Sequence, residues 1–391
     1  MKKLLILMPA LSRGGGERVI SELSRGFSEY IDIVIAVFER KRSYSYAGRI
    51  IDLQVPLSSR FLDRAFLFFK RLARLRGLLA QEKPDVVMSL GASANLMSIF
   101  AAKNPIVRVD MFISAGRKGF FGLVFRLLAK LLFRRAGLVV AVSRAIAQDL
   151  EKHYRVPRTK LQTIYNPVDM TAAREKAEEG IPEEYREAFS HPVVITMGRL
   201  TKQKGQWHLI RAFSAVKSHI PDAELVILGE GELQEKLEHL AKDLGLGGSA
   251  HFLGWQENPF AYLARARLFV LSSLWEGLPD VLLEAMACGL PIVSTDCRSG
   301  PREILAPVTE PLFQTKNVEQ GKYGILLPVC DGRWREHSES LTAEEYVMAD
   351  AIVGLLRDEA ALAEFKEKSA RRAADFDITT IVPQWSFLWK Q

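Results

Sequence analysis

Cysteine is scarce in this 391-residue chain. Cys288, Cys297 and Cys330 lack the spacing of a metal site, and three thiols cannot all pair within one chain. That suits a reducing compartment and excludes a disulfide-stapled scaffold. No His/Cys cluster is present either, and no metal requirement is expected. No uncharged apolar stretch reaches the length needed to span a bilayer. The N-terminus, Met-Lys-Lys-Leu-Leu-Ile-Leu-Met-Pro, has the charged start of a signal peptide, but its apolar run is too short. Ser-Arg-Gly-Gly-Gly-Glu-Arg follows where a small-residue cleavage site would stand, so the segment reads as a first buried strand.

What is present is enough for two ordinary domains, each with its own core. Charge divides unevenly between them. Residues 1–185 carry 31 Lys and Arg against 18 Asp and Glu, a balance of +13, and the remainder carries −6. A basic first half points to an anionic partner: lipid headgroups, a diphosphate or nucleic acid.

The first half alternates helical patterns, such as 17–30, with short β-branched runs at 3–8, 31–38, 86–90, 106–109 and 138–142. Residues 182–192 are polar and charged and read as an interdomain linker. Beyond them the alternation restarts, with strands at 193–197, 225–228, 268–271 and 292–295 and helices at 207–218, 233–244 and 281–287. Repeated βα units in both halves predict two doubly wound, Rossmann-like α/β domains facing a cleft. The expected boundaries are 1–185, 186–370 and a terminal segment, 371–391, crossing back to the first domain. In such sheets the loops that directly follow the strands carry function. Gly14–Gly16, 198–205 and 272–279 all stand there.

In Glu276-Gly-Leu-Pro-Asp-Val-Leu-Leu-Glu284, two carboxylates lie eight positions apart, the first in a Gly/Pro loop and the second in an apolar helical run. Eight residues is a little over two turns, so both acids can share one side of the element. The N–H groups at the helix start then offer an anion site between them. On spacing alone, a loop Glu plus a solvated helix Glu is the favoured reading, and it is the neighbouring motifs that overturn it. Gly198-Arg-Leu-Thr-Lys-Gln-Lys-Gly205 supplies Arg199 and Lys204. These are a natural clamp for a diphosphate, or else part of a basic surface turn.

Together these residues resemble the nucleotide-binding domain of the retaining GT-B glycosyltransferases. That large family carries the Glu-x7-Glu motif and contains sucrose synthases and the bacterial polysaccharide and lipid-linked oligosaccharide transferases. Leu228-Gly-Glu-Gly231, Phe252-Leu-Gly254 and Ser294-Thr-Asp-Cys-Arg-Ser-Gly-Pro-Arg-Glu303 fit the same pattern, as do Gly14-Gly-Gly-Glu-Arg18 and Ile164-Tyr-Asn-Pro-Val-Asp169. The resemblance implies that Arg199 and Lys204 neutralise the leaving diphosphate, Glu284 binds ribose hydroxyls and Glu276 a hydroxyl of the donor sugar. Gly198 and Gly277 belong to the two donor loops, and backbone N–H groups around Leu278 and Leu282 help hold phosphate or sugar. Gly15 and Gly16 let backbone approach the donor, although a glycine triplet is as readily a tight turn. Relatives often carry a His after the fourth strand-like run. Here the sequence is Val107-Arg-Val-Asp-Met-Phe-Ile113, and Asp110 either contacts sugar or acceptor in its place or caps a helix. By the same resemblance no protein base is needed, because the departing phosphate deprotonates the acceptor. A glycosidase would need both acids flanking the sugar bond.

Two first-half segments bear on the acceptor. Residues 60–83 contain seven basic residues interleaved with Phe61, Leu62, Phe66, Leu67, Phe68, Phe69 and Leu72. Residues 117–135 contain six basic residues and no acid, with Phe120, Phe121, Val124, Leu127, Leu128 and Leu131 at helical spacing. Such a helix either lies in an anionic membrane interface or turns its apolar face to the core. Nucleic acid fits poorly, because its aromatic platforms sit on loops and sheets rather than in leucine-rich helices. The expectation is a metal-independent hexosyltransferase without cofactor, peripheral on the cytoplasmic membrane face. It would move a hexose or N-acetylhexosamine, with a UDP-sugar favoured, to an undecaprenyl-diphosphate-linked glycan. A sugar-nucleotide epimerase of the same fold and a non-enzymatic membrane scaffold are the alternatives.

Overall fold

The computed structural model describes residues 1–11, 14–40, 44–55, 61–112 and 129–390, without the side chains of 61–65. The chain forms two compact α/β units. One comprises Met1–Pro167 with Asp377–Gln391, and the other Val168–Phe376.

The first unit contains β1 (Lys3–Leu11), β2 (Asp32–Arg40), β3 (Arg49–Asp52), β4 (Val86–Leu90), β5 (Ile106–Val109), β6 (Leu138–Ala141) and β7 (Leu161–Thr163). They pair in the order β3-β2-β1-β4-β5-β6-β7, every pair parallel. Leu4, Leu5, Ile6 and Leu7 of β1 are all fully buried, because helices cover both faces of a parallel sheet. That is why the segment reads as a continuous apolar run rather than an alternation.

The second unit repeats the plan with β8 (Val193–Met197), β9 (Glu224–Leu228), β10 (Ala250–Gly254), β11 (Leu268–Leu271), β12 (Ile292–Thr295), β13 (Glu319–Gly321) and β14 (Gly324–Leu327). Their order is β10-β9-β8-β11-β12-β14-β13, with only β13 antiparallel. In each sheet the strand order reverses at one point, between β1 and β4 and between β8 and β11. At such a switch point the loops leaving the two strands diverge and open a crevice. In the second unit those loops are the ones that carry Arg199, Lys204 and Glu276.

Three expectations are corrected. Residues 168–185 belong to the second unit instead of the first, because the helix Met170–Ala177 packs there against Phe260–Leu263 and Asp280–Ala287. Asn258 Nδ2 ties it down by donating to Lys176 O at 2.8 Å. Residues 182–192 are likewise no linker between units. They form the short helices Glu183–Arg186 and Ala188–Ser190 inside the second unit. The return to the first unit starts at Asp377 rather than 371. Phe376 stays with the second unit, where its carbonyl accepts from Val168 N at 2.9 Å. The aromatic residues beyond it do pack on the first unit. Trp385 is buried against Phe27 with ring centroids 5.8 Å apart, and Trp389 stacks on Tyr30 at 4.8 Å.

The helix Phe61–Glu82 uses its apolar residues in both of the ways the sequence allows. Leu72, Leu75 and Leu78 face the core, whereas Phe66 (69% exposed) and Phe69 (67%) stand in solvent beside exposed Lys70 and Arg74. Most of the 117–135 segment lies outside the described residues. At its end Phe133 is buried against Tyr154 and Leu131 is exposed. Among the described residues no helix is long and apolar enough to cross a membrane.

Candidate active site

Two loops at the switch point of the second sheet build the site. The first leaves β8 and ends at Gly205, whose φ of +62° opens the helix Gln206–His219. A side chain there would also press 2.6 Å from Ser272 O, so glycine is required on two counts. This contact brings the loop against its partner, which leaves β11. Leu274 N donates to Gln203 O at 2.8 Å and Ser272 Oγ to Lys204 O at 2.9 Å, joining the two backbones.

Across that junction Lys204 Nζ donates to Glu276 Oε1 at 2.6 Å. Glu276 is 7% exposed and its side chain collects two further donors, Ser273 Oγ at 2.6 Å and Gln203 Nε2 at 3.2 Å. Lys204 is therefore bound to an acid within the protein, a pairing that separate roles for the two residues do not anticipate. Arg199 differs. Its side chain is exposed and, like that of Lys202 in the same loop, makes no hydrogen bond or ion pair among the described residues, so its guanidinium is uncommitted. Gly198, at φ +150°, lies with its Cβ position 3.1 Å from Lys204 Cε.

A third segment braces the acid. Glu276 N donates to Arg298 O at 2.7 Å, Ser299 N returns a bond to Glu276 O at 2.9 Å, and Ser299 Oγ donates to Gly277 O at 2.6 Å. That segment is itself held by Arg302, which sequence reading missed. Buried to 2% exposure, Arg302 reaches Asp296 Oδ2 at 2.6 Å and Glu319 Oε2 at 2.7 Å, while Phe313 lies on its guanidinium. Burial pushes the Asp296 carboxyl above the usual carboxylate range, and hydrogen bonds from Arg302 hold Glu319 below it. Cys297, next to Asp296, is buried and has its thiol pushed far up by that burial and by Glu276. It is therefore no nucleophile at neutral pH.

The helix Asp280–Ala287 begins after Pro279 and carries Glu284 at 4% exposure. Leu278 (6% exposed) and Leu282 (0%) turn their side chains to the protein, and Leu282 N already donates to Pro279 O at 3.0 Å. Leu282 thus has neither side chain nor amide to offer a ligand.

In the first unit, Gly14 caps the helix Gly15–Phe27, which starts directly after the β1 loop. A Cβ on Gly16 would stand 3.6 Å from Asp110 Oδ2, so the structure brings Asp110 beside the glycines. Burial pushes the Asp110 carboxyl up, against the pull of Arg108. Arg108 is itself 1% exposed and bonded to Asn166. Glu17 adds a charge that the glycine reading did not include, since its carboxylate lies 2.5 Å from the Cβ position of Gly14. The helix cap offered as an alternative for Asp110 is not formed, because Met111 and Phe112, which follow it, are not helical.

Among the described residues no three His, Cys, Asp or Glu side chains gather to hold a metal. Asp375-Phe-Asp377 has the spacing of a metal-binding Asp-x-Asp, but its acids are used otherwise. Asp375 pairs with Arg372 at 2.7 Å and Asp377 caps the helix Ile378–Ile381.

Comparison with known proteins places both units. Residues 178–326 match the family model "Glycosyl transferases group 1", and residues 13–172 match "Glycosyltransferase Family 4". An uncharacterized glycosyltransferase of Methanocaldococcus jannaschii is 33% identical over 339 residues, covering 83% of each chain. The Campylobacter jejuni enzyme named N-acetylgalactosamine-N,N'-diacetylbacillosaminyl-diphospho-undecaprenol 4-alpha-N-acetylgalactosaminyltransferase is 28% identical, covering 96% of each. The Anabaena protein HepE, crystallised with UDP and glucose, superimposes with a TM-score of 0.74 over 99% of each chain at 19% identity, which is a likeness of fold. The topology, the paired loops and these matches agree, and the chain belongs to the GT-B glycosyltransferases.

Proposed function

We propose that this protein is a retaining, metal-independent glycosyltransferase. It moves a hexose or N-acetylhexosamine from a nucleotide sugar to a polyprenyl-diphosphate-linked glycan at the cytoplasmic face of the membrane. The Lys204–Glu276 pair at the switch point of the second sheet carries this reading. Glu276, fixed by three side-chain donors, accepts from a hydroxyl of the donor sugar. Lys204 is shared between that acid and the departing diphosphate, and exposed Arg199 supplies the second positive charge. Glu284 accepts from the ribose. The leaving phosphate takes the acceptor's proton on the face it vacates, so no separate base is required.

In the first unit, Asp110 beside the glycine turn offers an acceptor for a substrate hydroxyl. The acceptor class is supported by the Campylobacter relative, whose name specifies an undecaprenol-diphosphate glycan. Exposed Phe66 and Phe69 with Lys70 and Arg74 suit an anionic bilayer surface, where aromatics enter the acyl boundary and cations meet headgroups. UDP is the favoured nucleotide, in line with the HepE complex.

Thermal unfolding with UDP, GDP or NAD, without added metal, tests the donor assignment. A ligand at 100 times its dissociation constant adds about 2.7 kcal/mol. A shift with UDP alone is expected. A folded protein that responds to neither UDP nor GDP would overturn the donor site.

A further inference from the structure

The six tryptophans of the chain are not used alike. Trp207 is 2% exposed, donates from Nε1 to Arg333 O at 3.0 Å and lies against Trp334. Trp334 donates to Glu336 Oε1 at 3.1 Å and receives Lys236 on its ring. Trp385 and Trp389 pack on Phe27, and Trp255 is also engaged. Trp275 is the exception among the described residues. Its indole has no ring partner, no cation on its face and no acceptor for its N–H. It is 41% exposed, although Leu271–Ser273 before it and Glu276–Pro279 after it are buried.

Nor is the loop beneath it loose. Gln203 Nε2 donates to Trp275 O at 3.0 Å and to Glu276 Oε2 at 3.2 Å, so one side chain fixes both residues. Leu274 on the other side is pinned by the hydrogen bond that its backbone N–H donates to Gln203 O. The indole is thus held in solvent by a rigid backbone, one residue from the carboxylate assigned to sugar hydroxyls. An indole presents a flat apolar face and one polar N–H, an amphipathic surface of the kind favoured where one side is dry and one wet. A pyranose ring matches it: axial C–H groups make one face apolar, and the hydroxyls around the rim accept from N–H.

We propose that Trp275 is a stacking platform for a pyranose ring, working beside Glu276. This assignment rests on the glycosyltransferase reading of Glu276. The ring it stacks belongs either to the donor sugar or to the terminal sugar of the acceptor, and the chemistry of recognition is the same in both. Trp275 contributes through contact area and one hydrogen bond, so its loss weakens binding without removing charge from the site.

The experiment compares Trp275→Ala, Trp275→Phe and Glu276→Gln in the full chain, using UDP, the UDP-sugar that supports transfer and the lipid-linked acceptor. Stacking and one hydrogen bond predict at least about a fivefold rise in one KM for Trp275→Ala, with about half of the loss recovered in Trp275→Phe. UDP affinity should stay unchanged in both. A rise confined to the donor KM supports donor stacking. A rise confined to the acceptor KM, with UDP-sugar binding intact, supports acceptor stacking. If Trp275→Ala leaves both KM values within twofold while Glu276→Gln abolishes transfer, the platform is overturned and the donor site stands. Unimpaired transfer by Glu276→Gln would instead overturn the reading on which the platform rests. Quenching of the indole emission by the sugar in wild type, absent in Trp275→Phe, checks direct contact.

Discussion

Lys204→Met isolates the interaction at the centre of the site. Glu276 Oε1 receives Lys204 Nζ and Ser273 Oγ, each at 2.6 Å, and Oε2 receives Gln203 Nε2 at 3.2 Å. The substitution keeps the aliphatic stem and removes only the cation, leaving a 7%-exposed carboxylate with two neutral donors. Breaking a buried ion pair costs about 3–5 kcal/mol. The two remaining donors and the 13% exposure of Lys204 place this case at the low end, about 3 kcal/mol. For a unit of this size that lowers Tm by about 6–12 °C. Adding Glu276→Gln to Lys204→Met removes the stranded charge and should restore about 1–2 kcal/mol. Neither variant should transfer sugar. Urea unfolding of the two single variants and the double variant, with transfer assayed in parallel, closes the cycle. If Lys204→Met unfolds within about 0.5 kcal/mol of wild type and the double variant is no more stable, the pair is not formed in solution. Lys204 would then be a free cation like Arg199.

Three further outcomes are expected. Glu319 has a folded pKa below its unfolded one because Arg302 holds it ionised, so its stabilisation is present above the ordinary carboxylate range and is lost as pH falls through the folded value. Asp296, pushed up by burial, runs the other way and costs stability as pH rises past its ordinary range. Glu319→Gln should therefore flatten the acid side of the urea midpoint between about pH 5 and pH 3, and an unchanged slope would refute the assignment. Trp385→Ala empties a site 1% exposed against Phe27 and should destabilise the first unit by about 3–5 kcal/mol, read by amide exchange in the strands β1 and β2. Phe66→Ser with Phe69→Ser should leave stability within about 0.5 kcal/mol, since both rings are exposed, and should reduce flotation with anionic vesicles. Undiminished flotation would remove this helix from the membrane proposal.

The central strands were legible because burial on both faces leaves an unbroken apolar run, as in Leu4–Leu7 and Leu268–Leu271. Strands at the margins were not. β3 is Arg-Ile-Ile-Asp, β7 is Leu-Gln-Thr and β13 is Glu-Gln-Gly, sequences too short and polar to stand out from loops. The two loops of the candidate site could be located by their position after strands, yet their mutual bond could not. Lys204 and Glu276 are 72 residues apart, and only the adjacency of β8 and β11 brings them together. Arg302 was hidden for the same reason, because Asp296 and Glu319 become its partners through a turn and an edge hairpin. The unit boundary was misplaced because Met170–Ala177 is an amphipathic helix like many others, and nothing in its own residues says which sheet it will cover.

The first unit is discontinuous, and this sets the order in which the protein can be completed. Synthesis delivers Val168–Phe376 whole before any of Asp377–Gln391 exists. The second unit can therefore complete its fold without that segment, while the first still waits for Trp385 and Leu388 to cover Phe27. Until that segment docks, an apolar surface at the end of Gly15–Phe27 stays open to water and to chaperones. A nonsense change or proteolytic nick near residue 377 would then spare the second unit. The damage would appear in the first unit, which loses its closing segment, as a soluble-expression defect.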